Sequence, residues 1–129
     1  MTASKQAAAR ADERHSGAQL VFFLCFTEPA GLSAEELRPH LDAHKRWVVD
    51  QERSGRLFAA GPILDEDYRF SGHGLFILRA KSRGEAEEIA DSDPFHANGI
   101  RTYRLQPWQV NEGNLQITLT LSDRAFQFS

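Results

Sequence analysis

The chain reads as an α+β fold, one antiparallel sheet with two helices on a single face. Three observations predict it. Apolar runs of strand length, Leu20–Phe26 and Leu75–Leu78, are interleaved with helical segments, and each helical segment opens on a Ser-x-x-Glu capping pattern. The resulting order is β-α-β-β-α-β with short connections. That order describes a ferredoxin-like sandwich, followed here by a C-terminal β extension.

The elements follow in turn. Residues 1–17 are alanine-rich and charged with no apolar stripe, so they are expected to form a mobile N-terminal arm, with His15 in solvent. Leu20-Val21-Phe22-Phe23-Leu24-Cys25-Phe26 is apolar at every position, which predicts a strand covered on both faces. Glu28-Pro29-Ala30-Gly31 is expected to break it as a loop. Ser33-Ala34-Glu35-Glu36 opens the first helix, and Pro39 predicts a kink or fresh start near Arg38. At about 100° per residue, Leu37, Leu41, His44 and Val48 share one stripe facing the sheet, with His40 and Trp47 at its edge.

Arg56–Ala60 predicts a second strand stopped by Gly61-Pro62, and Asp65–Gly74 a polar connection into Leu75–Leu78. Ser82-Arg83-Gly84-Glu85 opens the second helix. Its inward stripe is Ala86, Ile89, Ala90 and Asp93, with Pro94 as terminator. Ile100–Trp108 is a fourth strand and Leu115–Leu121 alternates as a fifth. Three segments result: the arm over 1–17, the sandwich over 18–110 and the extension over 111–129.

A sheet with helices on one face leaves the other open. The apolar strands around Phe22 and Phe76 then need a second cover, which a homodimer supplies most simply. The rival cover is the C-terminal extension.

Composition narrows the partners. A net charge of −3 offers no basic excess to meet phosphates, which argues against nucleic acid and anionic membranes. No run reaches the roughly eighteen apolar residues of a membrane span, and the N-terminus lacks the apolar core of a secretory signal. The single Cys25 cannot form an internal disulfide and lies in an apolar strand, where it should be inert. That usage fits a cytoplasmic protein.

His44 and Asp93 are the candidate catalytic residues. The two helices run antiparallel, so the sheet-facing His44 of the first can meet Asp93 at the end of the second. A carboxylate on an imidazole fixes its tautomer, as a general acid/base requires. The plainer alternative is a buried His–Asp pair that only satisfies itself. Six further residues are assigned to substrate binding: Arg38 for an anionic group, His40 and Trp47 beside the stripe, His73 in the Ser71–Gly74 turn, Phe95 and Trp108. Trp108 joins Phe95 as a wall for a cyclic or aromatic small molecule. His40 and His44 have the i, i+4 spacing of metal ligands. No Glu follows His40, and only Asp93 or His73 could complete such a site, so neither a metal nor a cofactor is assigned.

Taken jointly, His44, the Arg56-Leu57-Phe58-Ala59-Ala60-Gly61-Pro62 segment, Asp93-Pro94-Phe95 with Gly99, and Pro107-Trp108 resemble the YciI-like, or YCII-related, proteins over residues 19–110. The resemblance implies a dimeric α+β barrel of ferredoxin-like protomers, with an active site around the family's His and Asp, here His44 and Asp93. Most members have no assigned reaction. Dehydrochlorination of a chlorinated hydroxyhydroquinone is associated with one relative. The function expected is therefore a cofactor-free lyase or isomerase acting through a His–Asp dyad. The alternative is a dimer of the same fold that binds a small ligand without turnover.

Overall fold

The computed structural model describes residues 20–128. The expected arm over 1–17 and His15 lie outside the described residues. Those described fall into two units, residues 21–109 and a C-terminal unit from Val110.

In the larger unit the chain runs β1 (Leu20–Pro29), α1 (Ala34–Arg53), β2 (Leu57–Leu64), β3 (Phe70–Leu78), α2 (Arg83–Asp91), α3 (Pro94–Ala97) and β4 (Arg101–Val110). The sheet order is β2-β3-β1-β4, with β3 antiparallel to both neighbours. This is the ferredoxin-like α+β arrangement. The C-terminal unit is an antiparallel hairpin of β5 (Ile117–Thr120) and β6 (Ala125–Phe128), so the fifth strand is shorter than Leu115–Leu121.

Both helices start where the capping patterns place them. Ser33 Oγ accepts from the Glu36 amide and Ser82 Oγ from the Glu85 amide. Pro39 does not interrupt α1, which is continuous to Arg53. Its missing N–H removes one donor toward Glu35 near the exposed start of a 20-residue helix, and the remaining turns carry the axis through.

The strands are longer than their apolar runs. Glu28 and Pro29 belong to β1 rather than to a loop. β2 passes through Gly61-Pro62 to Leu64, because it is an edge strand, where a missing N–H is tolerated, and Pro62 sits opposite Gly74 in its register. β3 begins at Phe70, so the polar connection shrinks to a tight turn in which Asp65 Oδ1 accepts from the Asp67 and Arg69 amides.

Register sorts the two sheet faces. The pairs Phe23–Leu78 and Cys25–Phe76 point toward the helices, whereas Leu24–Ile77 and Phe26–Leu75 point away. Phe76 therefore does not share the open face with Phe22. It packs edge-on against Trp47 at 5.5 Å. On the open side Phe22 rests on Phe58 at 4.9 Å and Trp108 at 6.1 Å. The core lies between the helix face and α1 and α2, around Trp47, Leu78, Ile89 and Leu105. Each such side chain withdrawn from water contributes about 1.5–3 kcal/mol. The stripe of α1 is rotated from its expected centre: Trp47 is buried, while Leu41 is exposed. The large indole, rather than the aliphatic row, seats the helix.

Candidate functional site

Trp47 also explains why His44 meets Asp93. Its indole N–H donates to Ser92 Oγ at 2.7 Å, and Ser92 Oγ donates on to the Ile89 carbonyl at 2.6 Å. This ties the middle of α1 to the end of α2. His44, one turn before Trp47, is thereby held opposite residue 93.

Asp93 reaches that position differently from the way a helical stripe would place it. α2 stops at Asp91 with Ser92 as its C-cap, and Asp93 is extended (φ −62°, ψ 124°). It caps α3, its Oδ1 accepting from the Phe95 amide at 2.9 Å. Pro94 thus opens a helical turn, at the position where its fixed φ is favourable. The same Oδ1 accepts from His44 Nδ1 at 2.8 Å. Phe95 then returns its ring flat against His44, centroids 4.2 Å apart and 15° between planes. The Asp93-Pro94-Phe95 turn holds the imidazole by its edge and its face at once.

A carboxylate oxygen only accepts, so His44 Nδ1 carries the proton and Nε2 the lone pair. Among the described residues Nδ1 makes the only hydrogen bond of the ring. The residue borders a cavity of about 330 Å³. Its polar side chains are His44, Asp93, Thr27 and Arg101, and its walls are apolar, including Val48, Phe70, Phe76 and Phe95. Gly74 lines it where β3 passes Thr27, and a Cβ there would meet Thr27 Cγ2 at 3.1 Å.

Beneath the dyad lies a second polar chain. His96, 3% exposed, donates from Nδ1 to the Ala90 carbonyl at 2.7 Å. Its Nε2 therefore accepts from the Thr27 hydroxyl at 2.9 Å. Thr27 Oγ1 in turn accepts from Arg101 Nε at 3.0 Å. Arg101 Nη2 donates to the Thr27 and Gly72 carbonyls at 3.1 and 2.7 Å. Gly72 has φ +90°, a conformation that favours glycine. Burial lowers the pKa of His96, outweighing the Ala90 carbonyl and Asp93, which act to raise it. The ring is thus kept neutral. Asp93 Oδ2 is buried with no hydrogen-bond partner among the described residues, 4.0 Å from His96 Nδ1. Cys25 is fully buried, and burial first, then Asp93, pushes its thiol up to about 12.

Of the residues assigned from the sequence, His44, Asp93 and Phe95 meet at the cavity, and Trp47 braces them from behind. Arg38 is exposed and His40 half-buried, and neither lines the cavity. His73 is in β3 rather than a turn. It stands 3.6 Å from Glu28 and borders a different cleft. Trp108 lies against Phe22 on the open sheet face. Among the described residues no group of three or more His, Cys, Asp or Glu side chains is placed to hold a metal ion.

Thr27, His96 and Arg101 are additional to those assigned from the sequence. Strand parity could have found two of them: Thr27 continues the inward series Phe23, Cys25, and Arg101 begins the inward series Tyr103, Leu105. A polar residue in an inward register is the signal.

Residues 21–109 match the YCII-related domain. No curated protein matches the chain. Among solved structures, the chain resembles 5-chloro-2-hydroxyhydroquinone dehydrochlorinase (TftG) of Burkholderia phenoliruptrix AC1100, in complex with 2,5-dihydroxybenzoquinone. The TM-score is 0.54 and the identity 18%, over 73% of this chain and 96% of that one. At that identity the likeness supports the fold.

Proposed function

The chain belongs to the YCII-related family, and on that premise we propose that it is a small-molecule enzyme of lyase or isomerase type, in which His44 transfers a proton and Asp93 orients it. One observation carries this reading. The Nδ1 proton of His44 is committed to a buried carboxylate at 2.8 Å, while Nε2, free of hydrogen bonds among the described residues, belongs to a residue lining the cavity.

The chemistry follows from that arrangement. Nε2 takes a proton from substrate carbon or oxygen, and Asp93 stabilises the imidazolium that forms. In an isomerisation the proton returns at another position. In an elimination of the dehydrochlorinase kind, the C–H electron pair becomes the new double bond and chloride leaves with the C–Cl pair. The aromatic and aliphatic walls suit a flat cyclic substrate, and the ring-shaped ligand held by the similar structure is consistent with that class. The working unit is a homodimer paired through the open sheet face, where Leu24, Leu75 and Ile77 have no helix over them.

Deuterium exchange tests the reading. In D2O the wild type should label enolisable cyclic ketones or hydroxylated rings at an acidic position. His44→Ala should abolish labelling, and Asp93→Asn should slow it by about 10²–10⁴-fold, with both variants folded. Labelling by His44→Ala at the wild-type rate would remove His44 from the chemistry.

A further inference from the structure

We propose that Arg101 is the anion-recognising residue of the cavity, and that the substrate class is a planar ring bearing an acidic oxygen that is bound, or formed during reaction, as an oxyanion. This role presupposes the proposal above that the cavity holds a small molecule.

Arg101 lines the cavity that His44 lines. Its guanidinium is held in place by three hydrogen bonds, all to uncharged acceptors: Thr27 Oγ1, the Thr27 carbonyl and the Gly72 carbonyl. These occupy Nε and Nη2. Among the described residues Nη1 makes no hydrogen bond. No carboxylate stands within ion-pair distance of Arg101 among the described residues. Asp93 and Glu28 act on it only across a longer gap.

A half-buried cation would ordinarily be neutralised by a protein carboxylate at contact distance. Here the planar fork is preorganised by backbone carbonyls and one hydroxyl, and its remaining amino group is left for a ligand. The other polar groups of the cavity are Thr27, whose hydroxyl is already committed to Arg101 and His96, and the dyad itself. A negatively charged oxygen entering this space therefore has one cationic partner.

The pairing of that cation with a base also makes chemical sense. When His44 Nε2 removes a proton from a carbon conjugated to a carbonyl, the electron pair delocalises onto the oxygen. A fixed guanidinium meets that charge without reorganising, which is the arrangement that lowers a barrier. A ring hydroxyl already ionised would be held by the same contact. A purely structural clasp would instead show no preference for charge in the ligand.

The test compares two probes of nearly equal shape, 4-nitrophenolate and nitrobenzene, above the ionisation pH of the phenol. Binding is followed by calorimetry and located by the shift of the His44 imidazole resonances. Wild type is expected to bind the anion at least about tenfold more tightly, the worth of a charge-assisted hydrogen bond. Arg101→Gln should bind the two probes alike, with nitrobenzene affinity unchanged, and Arg101→Lys should keep part of the preference. Equal affinities in wild type overturn the assignment, and so does a preference that survives in Arg101→Gln. Because Arg101→Gln also loses the tie between Thr27 and Gly72, the wild-type comparison decides the matter if that variant does not fold. If neither probe binds or shifts His44, the small-molecule reading of the cavity falls along with this one.

Discussion

Replacing Asp93 tests the centre of the site. The residue is 1% exposed, and one oxygen serves two donors, His44 Nδ1 and the Phe95 amide. Asp93→Ala removes the cap of α3, worth about 1 kcal/mol. It also removes a charge-assisted bond to the imidazole, worth about 1.5–3 kcal/mol. The two losses share an atom and overlap, so the expected destabilisation is about 2–4 kcal/mol. Asp93→Asn keeps an acceptor for both donors. Its cost is a buried NH₂ at the position of Oδ2, where the described residues offer no bonded partner, for a net loss of about 1–2 kcal/mol.

Urea unfolding followed by tryptophan fluorescence reads these differences, since Trp47 is buried and bonded to Ser92. Imidazole ¹⁵N shifts provide an independent check. His44 should be protonated at Nδ1 in wild type and a mixture of tautomers in Asp93→Ala. The reasoning is refuted if Asp93→Ala unfolds within about 0.5 kcal/mol of wild type, or if the alanine and asparagine variants are equally destabilised.

Burial holds His96 below its ordinary pKa of 6.5. The unfolded chain therefore gains a proton that the folded one refuses as pH drops, and stability present above pH 6.5 is lost as pH falls through that value toward the folded pKa. The slope should reach at most about 1.4 kcal/mol per pH unit, and His96→Asn should flatten it between pH 7 and 5; an unchanged slope would show that His96 is not the titrating group. Cys25 should resist thiol reagents in the native protein at pH 8 and react fully in denaturant; native-state labelling at the denatured rate would contradict its burial. Ile63 is partly exposed in a shallow apolar groove with Ala59, Leu75 and Ile77. Ile63→Lys should yield a folded monomer by sedimentation, and a stable dimer would count against pairing through the open face.

The parts of this structure that local patterns specify were legible in the sequence. Ser33 and Ser82 marked the helix starts because capping needs only three residues of context. The inward stripe of Ala86, Ile89 and Ala90 follows from helical period alone. Strand ends were less legible, because pairing rather than hydrophobicity extends them. Pro29 and Pro62 are tolerated at positions that only sheet order reveals. The dyad was found through a helical stripe running to Asp93, yet Asp93 lies outside the helix and reaches His44 as the cap of the next turn. Two different geometries lead to the same contact, and periodicity cannot separate them. Thr27 was out of reach once the first strand was ended at Phe26, since inward parity stops where the strand does, whereas Arg101 lay inside the expected fourth strand, in the inward register of Tyr103 and Leu105.

The bonds of the buried chain run one way. Arg101 Nε donates to Thr27, Thr27 to His96 and His96 to the Ala90 carbonyl, so the hydrogens linking these groups all point one way and the last acceptor is peptide oxygen, which has none to pass on. Such a row polarises but does not conduct. Asp93 closes the other side of His44 with a hydrogen it already shares. A proton taken up at Nε2 would then have no internal exit and would leave by the cavity side, where His44 keeps 18% exposure. On the proposed reading, substrate and solvent deuterium would reach His44 by the same face, so the cavity mouth is the one gate for both.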